Sequence, residues 1–111
     1  MKKDYILDKI NETVNGDKNT IQFYSNQKKL KYITPFVDQE TYPAYNVDIK
    51  ENVLTFNPRN AGNTVTSNDL KKLIESIPFN EIKVMFNNQE LKGIYSTVDI
   101  FFFQLEEDTT I

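Results

Sequence analysis

Apolar residues recur with helical spacing in two segments of the chain. The first segment lies near the N-terminus and contains Ile6, Leu7, Ile10 and Val14. The second has the spacing i, i+3, i+4, i+7, at Leu70, Leu73, Ile74 and Ile77. It is preceded by Thr66-Ser67-Asn68-Asp69, which has the form of a capping box, and followed by Pro78, which disfavours helix. The pattern therefore predicts two amphipathic helices.

Alternating apolar and polar residues after each helix predict strands. In the first half these are residues 21–23, 30–33, 45–49 and 53–56, and in the second half 82–86, 91–95 and 98–105. Turns are expected at 25–27, 51–52 and 87–89, which are rich in Asn. The run Phe101-Phe102-Phe103 is apolar on both faces of its strand. That strand is expected either to be central and covered on both sides, or to present one face to a partner.

The two halves of the chain resemble one another. Residues 19–38 and 80–99 align without a gap, with eight of twenty positions identical, and residues 7–14 match 70–77 at an offset of 63. We interpret this as an internal duplication, with pseudo-repeats at about 4–56 and 66–105 and a polar linker at 57–65. The alternative is that two helix-plus-hairpin segments converged on one pattern.

These elements predict a single α+β domain over residues 1–111. Each half reads as a helix followed by a meander, so the expected architecture is one antiparallel sheet with both amphipathic helices packed on one face. The length of 111 residues and the 39% content of hydrophobic residues are typical of one globular domain.

The composition excludes several classes of chemistry. The chain contains no Cys and no His, which removes disulfides, thiol nucleophiles and every His-based acid, base or metal site. No paired acids or nucleophile motif stands out, so we expect no enzyme activity, no cofactor and no metal. No apolar run approaches the roughly 18 residues of a membrane span, and Met1–Tyr5 does not resemble a signal peptide. A cytoplasmic protein without membrane association is expected.

Acidic residues form the first candidate site. The net charge is −3, with a single Arg against twelve Lys. Asp4, Asp8 and Glu12 are four residues apart, so they form a stripe opposite the apolar face of the first helix. The helical rise puts them about 6 Å apart, a spacing similar to that of phosphates along a nucleic-acid strand. A protein that mimics DNA could use this stripe together with Glu106, Glu107 and Asp108; the alternative is an ordinary solvated helix face.

A basic hairpin forms the second candidate site. Residues 1–36 carry seven Lys and four acids. Tyr24, Lys28, Lys29, Lys31 and Tyr32 would suit single-stranded nucleic acid, with bases stacking on Tyr and Lys contacting phosphates. The second half replaces three of these positions with Gln89, Glu90 and Gly93, so the basic patch would be one-sided.

The favoured hypothesis is a small acidic protein-binding module that inhibits or adapts a larger protein. Abundant Asn and Lys indicate an A/T-rich coding sequence, which suggests a low-GC bacterium, a phage or a mobile element. A nucleic-acid-processing or host-defence protein is then a plausible target. Two alternatives stay open: a module that binds single-stranded nucleic acid through the basic hairpin, and a structural subunit in which the Phe101–Phe103 strand pairs in a homodimer.

Overall fold

A computed structural model describes residues 1–13, 21–25, 28–29, 44–59 and 65–107. In these residues the chain forms two helices and eight strands. The helices are α1 (Lys3–Asn11) and α2 (Ser67–Glu75). The strands are β1 (Gln22–Ser25), β2 (Lys28–Lys29), β3 (Ala44–Lys50), β4 (Val53–Arg59), β5 (Lys83–Phe86), β6 (Gln89–Leu91), β7 (Gly93–Ser96) and β8 (Phe101–Gln104).

Both predicted helices are present, and the capping box of α2 is confirmed. The Thr66 hydroxyl accepts a hydrogen bond from the backbone N–H of Asp69 at 3.2 Å, and the Asp69 carboxylate accepts from the backbone N–H of Thr66 at 3.1 Å. Helix α1 has no side-chain cap, but Asp4 in its first turn and Lys9 in its last turn suit the helix dipole. Each helix buries two apolar residues one turn apart, Ile6 and Ile10 in α1 and Leu70 and Ile74 in α2.

The α+β class is confirmed, but the strands form two sheets rather than the single antiparallel sheet that the sequence predicts. Sheet 1 has the order β2-β1-β8-β7 and sheet 2 the order β3-β4-β5-β6. Each has a parallel pair at its centre, β1 with β8 and β4 with β5, flanked by antiparallel pairs. The prediction was wrong because the last strand of each half pairs with the first strand of the other half. Alternation of apolar and polar residues identifies a strand but does not specify which other strand lies beside it.

The predicted strand at 91–95 is divided at Lys92, where the chain leaves sheet 2 and enters sheet 1. The last strand begins at Phe101 rather than Val98. Residues 97–100 form a turn closed by Thr97, whose backbone N–H donates to the carbonyl oxygen of Ile100 at 2.8 Å. The Thr97 hydroxyl also accepts from the backbone N–H of Ile100 at 3.1 Å.

Strand β8 is central in sheet 1, because β1 and β7 lie on either side of it. Phe101 and Phe103 are buried in the core, whereas Phe102, on the other face of the strand, is only partly buried. The strand is therefore central, as one of the two expectations had it, but only one of its faces is fully covered. Both hydrogen-bonding edges of the strand are occupied within the chain, and a homodimer formed through Phe101–Phe103 stays a prediction.

The elements of the two halves of the chain correspond to one another in the fold. Strand β1 corresponds to β5 and β2 to β6 at an offset of 61, and the pairing of Tyr24 with Lys29 corresponds to that of Met85 with Glu90. The bounds of the helices and their buried residues correspond at an offset of 64, one more than the sequence alignment indicated. An internal duplication as the origin of this correspondence stays a prediction.

One hydrophobic core joins both sheets and both helices. Phe23 of sheet 1 contacts two rings of sheet 2, with centroid distances of 5.1 Å to Phe56 and 4.6 Å to Phe86. Phe103 lies beside Phe23 at 5.9 Å and Phe101 meets Phe103 edge-on at 5.3 Å. The helices contact each other, and α1 also contacts β7.

Some predicted features lie partly or wholly outside the described residues. Val14 at the end of the first apolar face and the return strand at 30–33 lie outside them, as does most of the linker. The start of that linker, residues 57–59, continues strand β4, and its last residue, Val65, is buried.

Candidate protein-binding surface

Helix α1 presents the predicted acidic stripe to solvent. Asp4, Asp8 and Glu12 are all exposed, while Ile6 and Ile10 point into the core. Because the helix is fixed by that core, packing holds the backbone that carries the stripe in place. We refer to Asp4, Asp8 and Glu12 as the acidic face.

Two lysines of α1 are turned towards other groups. The Lys3 ammonium donates to the carbonyl oxygen of Ile77 at 2.7 Å. The Lys9 ammonium lies 5.8 Å from the centre of the Tyr5 ring and 3.9 Å from a Glu12 carboxylate oxygen. Among the described residues no hydrogen bond or ion pair involves the Asp4 or Asp8 carboxylate. These two charges are therefore left uncompensated within the part of the chain that the structure describes.

Glu12 differs from the other two acids because it is tied to sheet 1. One of its carboxylate oxygens accepts a hydrogen bond from the Ser96 hydroxyl at 2.6 Å, and the other is the oxygen nearest to Lys9. This contact joins the end of α1 to β7. Glu12 is therefore less available to a partner than Asp4 and Asp8.

Two of the three C-terminal acids of the first candidate site, Glu106 and Glu107, lie within the described residues. Glu106 accepts a hydrogen bond from the Ser25 hydroxyl at 2.8 Å, which holds it at the end of β1. Glu107 lines a shallow pocket of about 370 Å³ together with Met1, Glu90, Leu91 and Lys92. This pocket lies near the start of α1, because Met1 is two residues before the first residue of the helix, Lys3. Asp108 lies outside the described residues.

The basic hairpin is described only in part. Tyr24 lies on β1, and its register partner on the edge strand β2 is Lys29, while Lys28 is paired with Ser25. The Tyr24 hydroxyl donates to the side-chain oxygen of Gln22 at 3.0 Å. Lys31 and Tyr32 lie outside the described residues.

An aromatic ladder crosses the outer face of sheet 1. It consists of Tyr24, Phe102 and Tyr95, with ring centroids 4.1 Å apart for Tyr24 and Phe102 and 5.0 Å apart for Tyr95 and Phe102. Sequence reasoning did not assign Tyr95 to a site, although the triple Phe run indicated an apolar outer position. Because the Phe102 ring packs between two tyrosines, it is poorly placed to stack on a base.

Within the described residues, no group of three or more acidic side chains is arranged to hold a metal ion. The helices of the described part are too short and too polar for any of them to cross a membrane.

Comparisons with known proteins add no assignment. No family model matches the chain, and no curated protein or solved structure matches it either.

Proposed function

We propose that this chain is a non-enzymatic protein-binding module that inhibits or adapts a larger partner, and that the partner contributes a basic surface. The observation that carries the proposal is the pair of exposed carboxylates at Asp4 and Asp8, which have no described partner although Lys3 and Lys9 are on the same helix. An uncompensated charge pair on a rigid helix favours association with lysines or arginines, chiefly by accelerating encounter and fixing orientation.

The spacing of the two carboxylates suits a partner that normally binds nucleic acid. Four residues of helix rise by about 6 Å, close to the distance between successive phosphates. A nucleic-acid-processing or host-defence protein is therefore the class of target we propose. The Asn- and Lys-rich composition, with a single Arg, supports a phage or mobile element as the source.

The test is capture of a partner by the full chain with a C-terminal tag, because the N-terminal amine donates to the carbonyl oxygen of Ile82 at 2.9 Å and is better left free. Lysate of a low-GC bacterium is treated with nuclease before capture. One protein retained in stoichiometric amount supports protein binding. Recovery of nucleic acid and its associated proteins only from untreated lysate contradicts it.

A matched pair of double variants tests whether the acidic face is the surface that binds the partner. Asp4→Asn with Asp8→Asn removes two charges from the acidic face, while Glu51→Gln with Glu75→Gln removes two from exposed positions outside the candidate site. The first variant is expected to lose the captured protein, and the second to keep it with the same net charge. Equal loss in both would mean that net charge alone drives binding, and retention in both would remove the acidic face from the proposal.

A second candidate function is binding of single-stranded nucleic acid. The observation in its favour is the register of β1 and β2, which places Lys29 directly opposite Tyr24 at the edge of sheet 1. Salt-sensitive binding of a short oligonucleotide is expected, weakened when Lys28, Lys29 and Lys31 become Gln. The same change at Lys71, Lys72 and Lys83 is the control. Absence of any mobility shift at low salt rejects this function.

A further inference from the structure

Strand β3 is a long edge of sheet 2. It has seven residues and pairs with β4 on one side, whereas the strand at the opposite edge of this sheet, β6, has three. In the described sheet nothing pairs with the other side of β3. About half of its backbone N–H and C=O groups therefore point away from the sheet, where they can pair with another strand.

The side chains of β3 are unusually exposed to solvent for a strand that lies beside the hydrophobic core. Asn46, Asp48 and Lys50 are exposed on one face. On the other face Val47 and Ile49 lie opposite Phe56 and Leu54, which are fully buried. Even so, Val47 is only partly buried and Ile49 is 39% exposed. The hydrophobic core is thus incompletely covered at this edge, and a strand placed alongside β3 would extend its cover.

We propose that β3 pairs antiparallel with β3 of a second copy of this chain, with the two Val47 residues on the two-fold axis. This register overlaps all seven residues of both strands. Across the axis it sets Asn46 opposite Asp48 of the second copy, so that an uncharged amide rather than a second carboxylate faces each Asp48. The residues of the incompletely covered face come together at the centre of the joined sheet.

This register is favoured over the neighbouring registers by the charges that it sets opposite each other and by the number of residues that overlap. Pairing centred on Asp48 would set two Asp48 carboxylates directly opposite each other, which is destabilising. Pairing centred on Ile49 would set Asp48 opposite Lys50, but only residues 48–50 of each strand would overlap. A two-fold axis at Val47 is the arrangement that keeps the full strand paired without opposing like charges, and it is isologous as a symmetric dimer requires.

The mass of the full chain in solution, measured by sedimentation over a range of concentrations, tests the proposal. Reversible association from 13.0 kDa to twice that mass is expected. A monomer at every concentration up to the millimolar range overturns it.

Substitutions at position 46 identify the strand and its register. Asn46→Asp sets two like-charged pairs across the axis and should weaken the dimer, whereas Asn46→Lys sets two opposite-charged pairs and should strengthen it. Each change is expected to be about 2- to 30-fold in the dissociation constant, from two cross-strand pairs. Adding Asp48→Lys to Asn46→Asp restores attraction and should recover the dimer.

The control is Tyr95→Ser, on the outer face of sheet 1, which should leave the dimer intact. If Tyr95→Ser dissociates the dimer, and both substitutions of Asn46 change its dissociation constant in the same direction, the β3 interface is overturned in favour of the aromatic ladder. Melting temperatures of all variants, measured at a concentration where the chain is monomeric, exclude loss of fold as the cause.

Discussion

The backbone N–H of Ile82 donates a hydrogen bond to the carbonyl oxygen of Met1 over 2.8 Å. Its counterpart in the other half is the bond from the backbone N–H of Ile21 to the carbonyl oxygen of Val65, also 2.8 Å long. In each case the residue that leads into a helix of one half is bound to the start of the first strand of the other half. Together with the two parallel strand pairs, these bonds interlock the halves, so that neither sheet is complete without both.

Interlocked halves predict a single unfolding transition. Each sheet loses two of its four described strands if one half detaches, and the Phe cluster loses its partner rings. The chain has no Trp, so Tyr95→Trp and Ile49→Trp each give one probe, in sheet 1 and sheet 2 respectively. In urea, both probes and the far-ultraviolet circular dichroism should share one midpoint. Separate midpoints for the two probes would contradict the interlocked arrangement.

The capping box of α2 should contribute measurably to stability. Thr66→Ala leaves the backbone N–H of Asp69 without its side-chain acceptor and is expected to lower the free energy of unfolding by about 0.5–2 kcal/mol. Asp69→Ala removes the reciprocal bond, and the double variant should cost less than the sum of the two. Lys71→Ala, at an exposed position of the same helix, is the control and should change stability by less than about 0.5 kcal/mol.

The turn between β3 and β4 stores backbone strain at Glu51. This residue has φ of 56°, in the left-handed region that costs an ordinary residue roughly 1–2 kcal/mol. Glu51→Gly should therefore raise the free energy of unfolding by about 1 kcal/mol in chemical denaturation. Glu90→Gly, at an exposed position of β6, is the control and should lower stability by about 0.5–1 kcal/mol, because glycine weakens a strand. A loss of stability in both variants would refute strain at Glu51.

The hydroxyl of Tyr5 is buried and has no hydrogen-bond partner within the part of the chain that the structure describes. A buried polar group without a partner costs about 1–3 kcal/mol, so Tyr5→Phe is expected to stabilise the protein by up to that amount. The measurement is thermal or urea unfolding, with Tyr95→Phe as the control, since the Tyr95 side chain is half exposed. If Tyr5→Phe destabilises the protein instead, the prediction that the hydroxyl is unsatisfied is wrong.

Local features of this fold could be predicted from the sequence because neighbouring residues determine them. Helical spacing located α1 and α2, Thr66 and Asp69 marked the capping box, and alternation located the β3–β4 hairpin. The parallel pairs could not be predicted, because alternation identifies a strand without identifying its neighbour. The corner at Lys92 was missed for a similar reason, since the apolar pattern runs on from Leu91 to Ile94 across the change of sheet.

In the candidate site, too, local features could be predicted from the sequence, whereas contacts between distant residues could not. Periodicity alone placed Asp4, Asp8 and Glu12 on one exposed helix face, as the structure has them. The attachment of Glu12 to Ser96 depends on the contact between α1 and β7, and these residues are 84 positions apart in the chain. The engagement of Lys3 by the Ile77 carbonyl depends on the tertiary fold in the same way. Which charges stay uncompensated could therefore be decided only from the structure.

The aromatic ladder should act chiefly in stabilising sheet 1. Phe102 packs against Tyr24 and Tyr95, and such ring pairs contribute about 0.5–1.5 kcal/mol each beyond their buried area. Phe102→Leu is therefore expected to lower the free energy of unfolding by about 1–3 kcal/mol in urea. Phe79→Leu is the control, because Phe79 is 46% exposed and makes no ring contact among the described residues, and it should change stability by less than about 0.5 kcal/mol. If Phe102→Leu leaves stability unchanged but abolishes binding of an oligonucleotide or a protein, the ladder is a binding surface instead.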